Sequence, residues 1–281
     1  MRVFAFTAIL CVVVLACAHS DFALTGNRLP SFETETIPVV EIAPPPSEPG
    51  IREDVPDKYR VKYEKWKAEL LSTDFGRQQW QSYSANRHFL LVIRVDASRG
   101  MGAGTDKFTW DEDGNFVGAT ITLGSELDTG FPPPTYYPVL NALTPDPGAP
   151  VVRSSVIAAA KLSHEIGHVE QAAAANVKLM QLQSKLIPQY VSIFLKNGFD
   201  RGDKRLLDLE RQMGGTPTSI WADREFTSEL DTMRYIGQRL DIENGLCRVL
   251  KKVRKNLTDY AGEHEKAFES APELSSSICN D

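Results

Sequence analysis

Residues 163–171 read SHEIGHVEQ, and the rest of the chain is interpreted from this stretch. Within it, His164, Glu165 and His168 match the pattern H-E-x-x-H. Side chains four positions apart on a helix lie on the same face, about 5 to 6 Å from each other, so these two imidazoles can bind one metal ion. Glu165 lies beside them, where its carboxylate can take a proton from a water that the metal activates. The stretch therefore predicts a zinc site on a helix.

The residues before the motif favour a buried helix. Residues 156–160 and Leu162 are apolar or small. Two histidines and a glutamate are costly to bury without a compensating charge, and a metal ion supplies that charge. The alternative is an exposed helix whose histidines face water and bind no metal.

A zinc site of this kind needs a third protein ligand. A third histidine at the spacing that some zinc peptidases use would stand at position 174, which is Ala. A carboxylate ligand is therefore expected. The best candidates lie in the next long helical stretch, WADREFTSEL at 221–230, which carries Glu225 and Glu229 on one face. The alternative is an exposed acidic face whose ion-pair partners are Arg224 and Arg234.

Together these residues resemble the zinc-binding motifs of the gluzincins, the zinc peptidases of the thermolysin type. Glu225, Ser228 and Glu229 fit the family pattern E-x-x-[AS]-[DE], except that the last acid is Glu where Asp is commoner. The resemblance implies one zinc ion bound by His164, His168 and Glu225, with Glu229 orienting a ligating histidine. Because both acids share one helix face, the opposite order of their roles stays open.

The same resemblance implies a zincin-like fold, in which the edge strand of a small sheet runs along the cleft above the metal helix. Residues 117–123, VGATITL, are expected to be that strand and to pair with an extended peptide. The family also places a His or Tyr near the oxyanion of the reaction. The candidates for that role are Tyr136, Tyr137, Tyr235 and His264.

The order of the predicted elements indicates an α+β fold, with a small N-terminal sheet and a hairpin before a mainly helical half. A helix is predicted at 57–72, a strand at 88–95, and the hairpin around Asp113-Gly114. Residues 56–272 are expected to form one zincin-like domain, followed by a tail at 273–281. The later helices are predicted at 152–175, 177–195, 203–213, 217–240 and 244–270.

The N-terminus predicts export. Residues 1–18 place one Arg before an apolar run of signal-peptide length. Residues 14–17, VLAC, are similar to a bacterial lipobox, in which Cys17 becomes a lipid-anchored residue facing the periplasm or the cell exterior. Residues 16–18, ACA, also fit cleavage for ordinary secretion, which would remove Cys17. Residues 19–55 are rich in Pro, Ser and acids, and they predict a tether.

Charge and cysteine content limit the partners. The net charge of −6 provides no whole-chain attraction to nucleic acid, so no nucleic-acid partner is expected. Outside residues 1–18 the chain has only Cys247 and Cys279, which either form a disulfide or remain free thiols. There is no C-x-x-C pair for a thiolate metal site.

The function expected from these features is a zinc-dependent endopeptidase outside the cytoplasm, with Glu165 as general base and then general acid. Its partners would be a peptide or protein substrate and, through Cys17, a membrane. An alternative of another class is a non-catalytic, zincin-derived lipoprotein that binds a partner or a cell-envelope component. A zinc hydrolase that acts on a non-peptide amide is a third possibility.

Overall fold

A five-stranded mixed sheet forms one layer of the molecule. The computed structural model describes residues 39–130, 138–141, 143, 151–198, 200–242, 249, 251 and 252. The strands are β1 (Val39–Ile42), β2 (Gly50–Asp54), β3 (Leu90–Asp96), β4 (Ala103–Trp110) and β5 (Phe116–Gly124). Their spatial order is β1-β4-β5-β3-β2. β2, β3 and β5 are parallel, β4 is antiparallel to β5, and β1 is parallel to β4.

Two helices lie between β2 and β3, and the others follow the last strand. They are α1 (Asp57–Leu70), α2 (Asp74–Ser84), α3 (Pro138–Asn141), α4 (Ser154–Ala174), α5 (Val177–Lys196), α6 (Lys204–Met213) and α7 (Pro217–Ile242), with a short 3₁₀ turn at Ala97–Arg99. The side chains of Thr73, Asn176 and Asp203 accept hydrogen bonds from backbone N–H groups at the starts of α2, α5 and α6. The sheet and helices confirm the predicted α+β class.

The main core lies between one face of the sheet and the helices. α4 packs against β4 and β5, and on its two sides it contacts α1 and α7. Residues of α4 from Val156 to Val169 are buried, so the prediction of a buried helix around the motif is confirmed. The sheet contributes alternate side chains to this core, as strands do when one face is buried. These are Leu91, Ile93 and Val95 of β3 and Ala119, Ile121 and Leu123 of β5.

A second, smaller core joins α5, α6 and the start of α7. It fills the space between the two helices of the α5–α6 hairpin, which links the helix carrying the motif to the helix carrying Glu225. Gln183 is buried there, and its side-chain amide donates to the carbonyl of Met213 at 2.9 Å. The core residues are Leu186, Tyr190, Val191, Phe194, Leu206, Leu209, Met213 and Ile220.

The predicted hairpin is present, but the expected edge strand is not at the edge. β4 and β5 pair antiparallel across a turn in which Gly114 has φ +84°, a conformation that favours glycine. β5 contains residues 117–123 and is the central strand of the sheet, because β3 pairs with its other side. The prediction of a strand at 117–123 is confirmed, but its position in the sheet depends on its pairing with β3 and β4. Within the described residues, β1 pairs only with Lys107–Trp110, so the first half of β4, Ala103–Asp106, has no strand on its outer side.

The predicted tether at 19–55 ends earlier than expected. β1 and β2 both come from this stretch, so the sheet starts at Val39 rather than after residue 55. They lie at opposite edges of the sheet, four strand spacings apart, which is about 19 Å. Residues 43–49 carry four prolines, and an extended polyproline segment from Ile42 to Gly50 covers about 25 Å. This segment, here called the strap, is therefore long enough to join the two edges.

Several predictions fall outside the described residues. They include the signal at 1–18 with Cys17, the tail at 273–281, most of the helix at 244–270, and both Cys247 and Cys279. Within the described part of the chain, no helix combines the length and apolarity required to cross a bilayer.

Candidate metal centre

The two motif histidines lie side by side on α4. Their ring centroids are 4.8 Å apart and the ring planes are nearly perpendicular, at 83°. His164 is 1% exposed and His168 is 8% exposed. One turn of helix therefore directs both imidazoles into the same buried space between α4 and α7.

Glu225 on α7 completes a three-residue cluster. One carboxylate oxygen of Glu225 lies 3.3 Å from Nε2 of His164, and the other lies 3.3 Å from Nε2 of His168. One ligand atom from each residue can be chosen so that all three lie within 4.8 Å of one another. Glu225 is 1% exposed, and its carboxylate faces the Nε2 atoms of the two histidines. A buried carboxylate needs a positively charged partner, which protonated His164 supplies when no metal is bound, and the group could bind a metal ion in place of that proton.

Glu229 lies behind His164. Its Oε1 is 2.9 Å from Nδ1 of His164, and its Oε2 accepts a hydrogen bond from the backbone N–H of Val139 at 2.7 Å. The side chain of Thr232 also approaches Nδ1 of His164, at 3.4 Å. The cluster therefore contains Glu225, while Glu229 contacts the other ring nitrogen of His164. Because both acids are buried, the alternative of an exposed acidic face does not fit this helix.

The small residues of the two motifs allow α4 and α7 to approach closely. A Cβ atom added to Gly167 would lie 3.0 Å from the Cα of Ser228, tighter than ordinary contacts. Ser228 itself is fully buried. A larger side chain at either position would separate the helices and move Glu225 away from the histidines. This close contact explains why a small residue, Ser228, stands three positions after Glu225.

Glu165 points toward the sheet. Its Oε2 accepts a hydrogen bond from the Thr105 hydroxyl of β4 at 3.0 Å, and the same hydroxyl lies 2.9 Å from the Glu165 carbonyl. Glu165 is 4% exposed and is not a member of the three-residue cluster. It therefore lies between the two histidines in sequence and beside the open edge of β4 in space.

β4 has a bulge next to this contact. The pairing with β5 shifts between Thr105 and Lys107, which leaves Asp106 as the extra residue. The carboxylate of Asp106 accepts hydrogen bonds from Arg94, Arg99 and Thr122 on the other face of the sheet. These bonds hold the bulge in place and leave the Thr105 side chain directed at Glu165.

Sequence reasoning missed Lys161, one turn before the motif. Its buried ammonium group donates to the carbonyls of Met101, Leu127 and Gly130 at 2.8, 2.9 and 2.5 Å. Burial lowers the pKa of Lys161 to about 7. The sequence feature that could have identified Lys161 is its position as a single lysine within an apolar stretch of helix. A lysine buried there needs several hydrogen-bond acceptors. Lys161 ties the loops after the 3₁₀ turn and after β5 to α4.

Of the four candidates for an oxyanion-stabilising residue, the structure describes Tyr235, which is fully buried on α7. Tyr136, Tyr137 and His264 lie outside the described residues.

Comparison with known proteins gives no relatives: no family model, curated protein or solved structure matches the chain.

We expect metal affinity to fall as the pH falls. Burial alone would lower the pKa of His164, but the carboxylates of Glu225 and Glu229 raise it well above its usual range. Metal-free His164 therefore keeps a proton at neutral pH, and metal binding must displace that proton. Since one proton competes, the affinity should drop about tenfold per pH unit. Calorimetric titration from about pH 6 to pH 8 tests this, and a constant affinity would contradict it.

Proposed function

We propose that this protein is a zinc-dependent endopeptidase that acts on peptides or proteins outside the cytoplasm. The observation that carries the proposal is the buried cluster of His164, His168 and Glu225. On the same helix, the Glu165 carboxylate is hydrogen-bonded to Thr105 in the half of β4 that has no outer strand partner among the described residues. Two imidazoles and one carboxylate without a thiolate suit zinc, and three protein ligands leave a fourth position for water or substrate.

The metal and the protein side chains would supply different parts of the reaction. When bound, zinc supplies Lewis acidity, which polarises a carbonyl and makes water a stronger acid near neutral pH. Glu165 accepts the proton of the attacking water and passes it to the leaving amine. Thr105 holds the Glu165 carboxylate through its hydroxyl, and Glu229 holds His164 through Nδ1. These two contacts reduce the reorganisation that the site needs during the reaction.

The open edge of β4 supports a peptide as the substrate. Among the described residues, β1 pairs with Lys107–Trp110 only, and no strand pairs with the outer side of Ala103–Asp106. Unpaired backbone groups of an edge strand bind an extended peptide with few demands on its side chains. Because Thr105 lies in this open half, a peptide bound there would lie beside Glu165. β4 thus takes the role that the sequence had suggested for residues 117–123.

The proposed location follows from the N-terminal sequence. Export by residues 1–18 and lipid attachment at Cys17 would place the folded part on the outer side of a membrane, and cleavage after residue 18 would instead release it. Both outcomes place the site in an extracytoplasmic space.

Metal removal provides the direct test. We expect the purified protein to contain one zinc ion per chain and to cleave a mixed library of unstructured peptides. A strong chelator should abolish cleavage, and added zinc should restore it, while Mg²⁺ should not, because Mg²⁺ prefers oxygen ligands in octahedral geometry. Zinc content is measured by elemental analysis and cleavage by mass spectrometry. Cleavage that survives complete metal removal would contradict the proposal, and zinc without any hydrolysis would favour a non-catalytic binding protein.

A further inference from the structure

α4 contacts the first part of β4 at two points. One turn before the motif, the buried ammonium group of Lys161 donates to the carbonyl of Met101 at 2.8 Å, two residues before β4 begins. Four residues farther along both elements, the hydroxyl of Thr105 contacts Glu165. These two contacts fix the position, relative to α4, of Ala103–Asp106, the half of β4 that has no outer strand partner among the described residues.

The same ammonium group joins two loops that pack against each other. It also donates to the carbonyls of Leu127 and Gly130, in the loop after β5. That loop is bonded to the one before β4, because the backbone N–H of Gly124 donates to the carbonyl of Gly102 at 2.8 Å. A Cβ atom on Gly124 would lie 2.0 Å from the carbonyl oxygen of Gly100, so the two loops are in close contact. One side chain therefore holds both loops, and with them the start of β4, on α4.

We propose that Lys161 is a positioning residue for the substrate: its ammonium group sets the position of Ala103–Asp106 relative to α4, and so the position of a bound peptide relative to Glu165. Only the second half of this inference rests on the proposed function, because the position of the strand is a property of the fold. Lys161 needs no contact with the substrate or the metal. It acts through three backbone carbonyls, to which it supplies the charged donors that these acceptors lack when water is excluded.

Lys62 provides a comparison, because it binds the same loop after β5 from another helix. Its ammonium group, on α1, lies 2.6 Å from a carboxylate oxygen of Asp128 and donates to the carbonyl of Ser125 at 3.0 Å. The Lys62 side chain is 36% exposed, whereas Lys161 is buried. Loss of Lys62 thus removes contacts to one loop near the surface, whereas loss of Lys161 also removes the contact to Met101.

Hydrogen exchange in the full chain, followed by mass spectrometry, tests the positioning without any substrate. Lys161→Met keeps the length of the side chain and removes its donors. We expect the amides of residues 100–106 to exchange about 10- to 100-fold faster, the factor that corresponds to one hydrogen bond to a charged group. Residues 107–110 of the same strand should exchange as in wild type, and so should residues 100–106 in Lys62→Met. Unchanged exchange in 100–106, or equal acceleration along all of β4, would overturn the proposal.

Chemical rescue tests the role of Lys161 in turnover. Lys161→Ala leaves room for n-propylammonium, whose carbons and amino group match the Cγ, Cδ, Cε and Nζ atoms that the substitution removes. We expect kcat/KM for a fluorogenic peptide to fall about a hundredfold, the cost of a displacement of about 1 Å, with zinc content unchanged. Added n-propylammonium should restore both kcat/KM and slow exchange in residues 100–106.

Tetramethylammonium is the matched control ion, because it has the same charge but no N–H donor. It should restore neither quantity. Recovery with both ions or with neither, or wild-type kcat/KM in Lys161→Ala, would overturn the proposal. If no protein, wild type included, cleaves the peptide, the proposed function fails, and the exchange of residues 100–106 with each ion still decides whether Lys161 positions the strand.

Discussion

The variant Glu165→Gln is expected to keep its metal and to hydrolyse peptides about 10²- to 10⁴-fold more slowly, the range that general acid–base catalysis contributes. Glutamine has nearly the same shape and can accept the Thr105 hydrogen bond through its amide oxygen, so the fold should be unaffected. It cannot accept and return the proton of the attacking water. Steady-state hydrolysis of a fluorogenic peptide, with zinc content measured on the same sample, tests both halves of the expectation.

Glu170→Gln provides a matched control on the same helix. Burial and the neighbouring Asp231 raise the pKa of Glu170 to about 8, so its carboxyl group is mostly protonated at neutral pH and the amide replaces a neutral group. This variant should retain wild-type hydrolysis. If Glu165→Gln were as active as Glu170→Gln, Glu165 would not be the general base, and the proposed reaction would have to be abandoned.

The second large effect is expected for Glu225→Ala, which should abolish zinc binding. The variant removes the carboxylate that faces Nε2 of both histidines and leaves only two protein ligands. Wild-type protein should be stabilised by zinc, by about 4 kcal/mol when free zinc exceeds its dissociation constant a thousandfold. The variant should show the same thermal unfolding with and without zinc. Elemental analysis and thermal scans at a series of zinc concentrations measure the two effects.

Comparison with Glu229→Ala decides between the two acids. Loss of a group that only orients a ligand typically weakens metal binding by about 10- to 100-fold without abolishing it. We therefore expect Glu229→Ala to bind zinc at high concentration and to lose most of it on dialysis. The reverse order, with tight binding in Glu225→Ala and none in Glu229→Ala, would make Glu229 the ligand.

The local parts of the candidate site could be predicted from the sequence. The spacing of His164 and His168 follows from helix geometry, and the apolar residues before them predicted burial. The sequence could not decide whether Glu225 or Glu229 is the ligand, because both lie on one face of α7. In the structure Glu229 contacts the His164 ring and the Val139 backbone, which places it outside the three-residue cluster. These contacts depend on how α4, α7 and the segment at Val139 pack together.

The nonlocal parts of the fold could not be predicted. A pattern of alternating residues identifies a strand, but not which strands pair with it, and this is why residues 117–123 were expected at an edge. The proline content of residues 43–49 is equally compatible with a tether and with the strap, since both are extended. Whether β1 belongs to the sheet is decided by β4, more than 60 residues later in the chain.

The strap also affects the order in which the sheet can assemble. β1 pairs with β4 across 68 residues of sequence, from Val39 to Lys107, whereas β2 pairs with β3 across 40, from Gly50 to Leu90. Because closing a longer loop costs more conformational entropy, β1 is expected to pair later than β2. Two strands separated by seven residues in sequence are thus expected to join the sheet at different times, the earlier one in the chain later. Val40 of β1 packs against the main core, so the late pairing of β1 would complete that core together with the sheet.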